Sequence, residues 1–172
     1  REALEVDGPL GIYIGDKSVY NIQISPDMNF VTYTLRTRAN AKRTEIPEYV
    51  TESGQTEHST SRPKVGSPED SYEMGVYDIK NDTSYILDTK QIEGIYDKPE
   101  FLKEYAGEDF EDQYKDPRPV VINGPFFSDD SKAFVDVRSL DSKDRWLLLL
   151  DLETGDLTTL DRQHDEAWIG GP

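Results

Sequence analysis

Ile122-Asn-Gly-Pro125 and Ile169-Gly-Gly-Pro172 are two forms of one phrase, preceded by Val120-Val121 and Ala167-Trp168. Their isoleucines lie 47 residues apart in a chain of 172. A repeat of that length is the size of one four-stranded propeller blade, and the intervening residues read as such a blade. Residues 120–123 form a short apolar strand ended by Gly124-Pro125, and 126–131 supply a turn whose Ser and Asp side chains bond their own backbone. Residues 133–137 are a second strand, and a charged hairpin over 141–144 leads to a third at 146–152. Its four consecutive leucines, Leu147 to Leu150, fit a strand covered on both faces. Glu153-Thr-Gly155 then turns the chain into a fourth strand, 157–160.

The same grammar occurs earlier. Residues 19–24 lead into Ser25-Pro-Asp-Met28, which matches Ser128-Asp-Asp-Ser131, and 30–35 alternate threonines with larger residues. Residues 74–79 and 84–87 complete the set around an Asn81-Asp82 turn. The serines of the two turns are 103 residues apart, too far for one blade. Two segments without strand grammar, 38–70 and 91–116, account for the excess, and their removal leaves 44. The expected fold is therefore all-β: about two four-stranded antiparallel blades of a partial propeller, with long insertions. The organisation is a blade over 19–88 interrupted by 38–70, an insertion over 91–116, a blade over 120–160, and the start of another at 167–172. The first insertion holds Pro47, Pro63 and Pro68 and reads as an irregular excursion, whereas residues 98–114 suggest a short acidic helix with Pro99 near its first turn. Residues 10–14 suggest one further strand.

Composition narrows the function. The net charge is −16, and the charged share of 31% approaches the hydrophobic share of 35%. Such a surface repels nucleic-acid backbones and anionic lipid, so neither is an expected partner. The absence of cysteine excludes disulfides, thiolate metal sites and a cysteine nucleophile. The chain opens on Arg1 and reads as a piece of a longer protein.

Few residues invite a chemical role. His164-Asp165 could act as acid and base, but adjacent strand residues point to opposite faces and no nucleophile accompanies them. His164 is expected to fix the loop leaving the blade, and His58 stands in the proline-rich insertion without a partner. Asp129-Asp130, residues 141–144 and residues 161–165 supply oxygens, but none has the spacing of a calcium loop, so they read as solvated hairpin ends. Asp136, Arg138, Asp144 and Arg145 lie at the ends of one hairpin, where cross-strand pairing is the expected role. Carboxylate binding by Arg138 or Arg145 is the alternative. No Gly-x-Ser-x-Gly elbow, phosphate-binding loop or His-Glu-x-x-His motif occurs. No catalytic residue, metal ligand or cofactor is therefore assigned.

Tyr49-Val-Thr-Glu52, then Arg62-Pro-Lys-Val-Gly66-Ser-Pro68 running into Gly75-Val-Tyr-Asp78, resembles the propeller of dipeptidyl-peptidase-IV-like enzymes. Asp136-Val-Arg138, Lys143-Asp-Arg-Trp146 and Gln163-His-Asp-Glu-Ala-Trp-Ile-Gly-Gly171 look like bacterial members of the wider prolyl-oligopeptidase family. The resemblance implies an N-terminal propeller that screens short peptides beside an α/β-hydrolase domain carrying Ser, Asp and His. That domain and a peptide substrate are then the expected partners, and a periplasmic or secreted location follows. The adjacent glutamates that hold the substrate amine in dipeptidyl peptidases have no counterpart here. Two other readings compete: a non-catalytic TolB-like propeller scaffold that binds protein or glycan, and an acidic β-domain that pairs with itself through open sheet edges.

Overall fold

The computed structural model describes residues 8–9, 11–99, 101–109 and 115–170. Within these residues, ten strands form two four-stranded antiparallel sheets and one two-stranded ribbon. The first sheet is β1 (Ser18–Ile24), β2 (Phe30–Thr37), β5 (Ser71–Asp78) and β6 (Thr83–Ile86), in that order. The second is β7 (Val120–Phe127), β8 (Ala133–Ser139), β9 (Asp144–Leu150) and β10 (Leu157–His164), paired in chain order. Each is an up-and-down meander, the unit of a propeller blade, and the chain is an all-β partial propeller of two such units.

Alternation decides what faces inward. In β8, Ala133, Val135 and Val137 are buried while the residues between them are half-buried; in β9, Trp146, Leu148 and Leu150 lie on the same face. They join Val120 and Ile122 of β7, Phe30 of β2, and Met74 and Val76 of β5 in one continuous apolar cluster. Packing the two sheets against each other builds this shared core. Leu87, Ile92 and Ile95 close one side of that cluster. Tyr85 of β6 reaches across, its hydroxyl donating to the Leu152 carbonyl at 2.8 Å, and burial pushes that phenol up to about 12. Gln91 grips the β9–β10 turn, donating to the Gly155 carbonyl and accepting from the Leu157 amide.

The leading strands of the two sheets share an irregularity. β1 breaks register between Tyr20 and Gln23, and β7 between Asn123 and Phe126. The bulged Asn21 (φ 54°) and Gly124 (φ 109°) each stand four residues before the serine of the following turn. Asn21 Nδ2 donates to the Gly124 carbonyl at 2.9 Å, so one bulge is hydrogen-bonded to the other.

The turns repeat as well. Ser25 Oγ donates to Asp27 at 2.6 Å and accepts from the Phe30 amide, with Met28 at φ 60°. Ser128 does the same with Asp130 and the Lys132 amide, with Ser131 at φ 61°. A third copy joins β8 to β9: Ser139 Oγ accepts from the Asp144 amide at 3.0 Å, with Ser142 at φ 59°.

Three expectations need correction. Residues 38–70 are not an irregular excursion: β3 (Arg43–Glu48) pairs with β4 (Glu57–Pro63) as a separate exposed ribbon. Its one large aliphatic residue, Ile46, is 45% exposed, so backbone pairing forms the ribbon without a hydrophobic period. Residues 11–14 form no strand, and Leu10 lies outside the described residues. The acidic helix is shorter than 98–114: α1 spans Phe101–Ala106 and a 3₁₀ turn follows over Gly107–Asp109, with Gly107 at φ 58° ending it. Residues 110–114 lie outside the described residues. Residues 165–170 take no regular structure, and 171–172 are not described.

The stacked core gives a paired test. Leu148→Ala, at a fully buried position, should cost about 2–5 kcal/mol in urea unfolding, as large-to-small core substitutions do. Its neighbour Leu147 is 43% exposed on the other face, and Leu147→Ala should cost less than about 1 kcal/mol.

Candidate functional site

The strand alternation that buries Trp146, Leu148 and Leu150 carries Asp144 onto the same face. Its carboxylate has no solvent exposure and is met by two guanidinium groups and an imidazole. Arg118 binds Oδ2; Arg162 Nε donates to Oδ1 at 2.9 Å; and His164 Nδ1 lies 3.0 Å from Oδ1. Burial alone would push the Asp144 carboxyl up, but hydrogen bonds from Arg118, His164 and Arg162 outweigh it and hold the group below its ordinary value. Asp141 is also held low against its own burial, by Ser139 and Arg118.

Arg118, with only 5% of its side chain exposed, also forks onto both Asp141 oxygens, at 2.7 and 2.9 Å. Its Nε–H has no hydrogen-bond partner among the described residues. Arg162 continues to Asp97 at 2.8 Å. Both guanidinium groups lie over the Trp146 ring, at 6.0 and 5.7 Å from its centroid. The indole N–H donates to the Glu93 carbonyl at 2.9 Å. Glu93 precedes Gly94, whose φ of 72° turns the chain so closely under Arg162 that a Cβ would collide with its guanidinium. The loop from the first sheet is thereby seated on the second, and the Arg118 amide donates to the Ile95 carbonyl.

An open cleft of about 430 Å³ lies over this cluster, lined by Asp97, Lys98, Pro99, Arg118, Asp144, Arg162, His164 and Glu166. Its charges are largely matched in pairs, and it contains no serine, threonine or cysteine nucleophile among the described residues. The cluster anchors polypeptide segments, because its charged groups come from β9, β10 and the connection between the sheets.

The expected candidates fall in different places. His164 does not pair with Asp165: its ring bridges Asp144 and Glu166, while Asp165 accepts the Ala167 and Trp168 amides at 2.7 and 3.1 Å. The hairpin charges split across the sheet. Asp136 accepts from Arg145 at 2.8 Å and from Arg138 at 3.3 Å on the outer face. Asp144 is not part of that set, because its adjacency to Arg145 puts it on the opposite face. Asp130 serves its turn and Lys132, and Asp161 accepts from Gln163. Among the described residues no three acidic or histidine side chains are grouped to hold a metal ion. His58 stands on the exposed β4, opposite Pro47. Sequence reasoning missed Arg118, Arg162 and Asp97. The signal was present in the spacing: a carboxylate in phase with Trp146, Leu148 and Leu150 requires buried cations.

No protein-family model matches the chain, and no curated protein is similar to it in sequence. Solved structures share its fold. A protein named as a dipeptidyl aminopeptidase IV from Bacteroides ovatus ATCC 8483 superposes with a TM-score of 0.51 at 14% identity over 86% of this chain. Dipeptidyl peptidase 4 of Porphyromonas gingivalis does so with a TM-score of 0.52 at 11% identity, also over 86%. The chain spans 18% of the length of each.

The seating of Gly94 is testable against Gly107, which also has positive φ but has no neighbouring atom within 4 Å of where a Cβ would stand. Each Gly→Ala change incurs the left-handed backbone penalty of about 1–2 kcal/mol. Gly94→Ala should cost more than Gly107→Ala, because Arg162 must also leave Asp97 and Asp144; unfolding free energies of the two variants check this.

Proposed function

We propose that this chain is the propeller portion of a serine peptidase of the prolyl-oligopeptidase type, dipeptidyl-peptidase-IV-like, and that it gates and recognises short peptides without cleaving them itself. The observation that carries the reading is the pair of stacked four-stranded meanders with bonded leading strands, a fold shared across 86% of the chain with two proteins named as dipeptidyl peptidases. The ordered motifs from Tyr49 to Gly171 point the same way.

In this reading the blades comprise residues 19–88 and 120–160, and residues 167–172 begin the next. A hydrolase domain elsewhere in the same protein supplies nucleophile, acid and base. The propeller limits which substrates reach that triad, since a nucleophile acts only on what is held within reach. In this reading the two insertions, residues 38–70 and 91–116, border such an entrance. A periplasmic or secreted location accompanies the proposal. Among the described residues no helix is long and apolar enough to cross a membrane.

The test uses the full-length protein to which these residues belong. A fluorophosphonate probe should label one serine outside residues 1–172, and peptides of a few residues should be cleaved faster than folded proteins. A folded preparation that takes up no probe and cleaves no peptide would overturn the peptidase reading in favour of a binding scaffold.

A further inference from the structure

His164 lies between two carboxylates, and that geometry has a consequence for the segment that follows β10. Nδ1 is 3.0 Å from Asp144 Oδ1 and Nε2 is 3.0 Å from Glu166 Oε1. An ionised carboxylate only accepts hydrogen bonds, so both contacts can be made at once only by the doubly protonated imidazolium. We propose that His164 is the pin of a proton-operated clasp, closed when the ring is charged, that ties residues 165–169 to the second sheet and borders the mouth of the cleft.

The surroundings decide which contact opens. From β9, Asp144 faces the ring; from β10, Arg162 shares the same Asp144 oxygen; and from the following segment, Glu166 faces it. The connecting loops bring Asp97, Lys98 and Arg118 to the cleft. Lys143, in the β8–β9 turn, donates from its ammonium to the Glu166 carbonyl. Asp144 is fully buried and must keep its donors, whereas the Glu166 side chain is 69% exposed and water can replace the ring. A neutral imidazole therefore keeps its one proton on Nδ1 towards Asp144 and loses the bond to Glu166. The clasp opens on its solvent side.

The segment it holds is otherwise lightly attached. Besides the Lys143 ammonium on the Glu166 carbonyl, the Asp165 amide donates to the Lys143 carbonyl and the Ile169 amide to the Ser142 carbonyl. Trp168 is 68% exposed. With so few anchors, loss of one changes the opening equilibrium measurably.

Hydrogen bonds to Glu166 and Asp144 raise the His164 pKa above its ordinary 6.5. The clasp's contribution is thus fully present below 6.5 and is lost as pH rises through the higher folded value. This device is local and does not rest on the peptidase reading.

The experiment is an NMR titration of the full 172-residue chain. His164→Gln distinguishes the two histidine signals, and Glu166→Gln removes the outer carboxylate from an exposed position. His164 should titrate above 6.5 in the parent chain, and its midpoint should fall in Glu166→Gln. Protection of the Ile169 and Asp165 amides, corrected for intrinsic exchange, should drop roughly two- to fivefold as pH passes the midpoint, the range an exposed ion pair supports. The same drop should be absent in Glu166→Gln. A midpoint at or below 6.5, a midpoint unmoved by Glu166→Gln, or protection unchanged across the titration overturns the proposal.

Discussion

A carboxylate without solvent access organises the second sheet and what rests on it. Asp144 begins β9 in phase with Trp146, Leu148 and Leu150, so the pleat that builds the core also drives a negative charge to its edge. An unpaired ion there would cost several kcal/mol. Arg118 comes from the connection between the sheets, and Arg162 and His164 from β10, so neutralising one charge ties separate stretches of chain together. Trp146 extends the arrangement. Its ring carries the two guanidinium groups and its N–H holds the Glu93 carbonyl, which seats the loop from the first sheet.

The remaining architecture is repetitive in a physical sense. A serine hydroxyl, an aspartate two residues on and a left-handed residue after it make three of the hairpin turns. The hydroxyl accepts a backbone N–H that the reversal would otherwise leave without a partner, which is why short polar residues recur there. The matched bulges in β1 and β7 carry the repetition to the leading strands, where Asn21 joins one sheet to the next. Each such contact is small, and the shared apolar cluster between the sheets supplies most of the stabilisation.

The strand around Phe30 was legible from alternation, and those around Val120, Ala133 and Leu148 from short apolar runs bounded by turns. Leu147, expected to be covered like its neighbours, is 43% exposed. The ribbon of β3 and β4 was not legible. Thr44, Glu45, Glu57, His58 and Ser59 have no core face, so nothing distinguishes them from a loop. Resemblance to known propellers indicated the kind of fold without indicating that ribbon. The site was legible only in part. His164, expected to fix the loop leaving its blade, lies between Glu166 of that loop and the distant Asp144. Arg118 and Arg162 looked like ordinary surface charges, because burial of a guanidinium is a property of the tertiary fold. Asp144 held the clue, yet it was grouped with Asp136, Arg138 and Arg145, which pair among themselves on the opposite face of the sheet.

If the two sheets and the Asp144 cluster form one cooperative unit, damage at that carboxylate must be felt across the interface. Native-state amide exchange on Asp144→Asn, compared with the parent chain, reads this directly. The Val76 amide in β5 and the Leu148 amide in β9 should then lose protection by the same free energy. Loss confined to β9 and β10, with Val76 unchanged, would contradict that cooperativity and leave the sheets as independent units that merely touch.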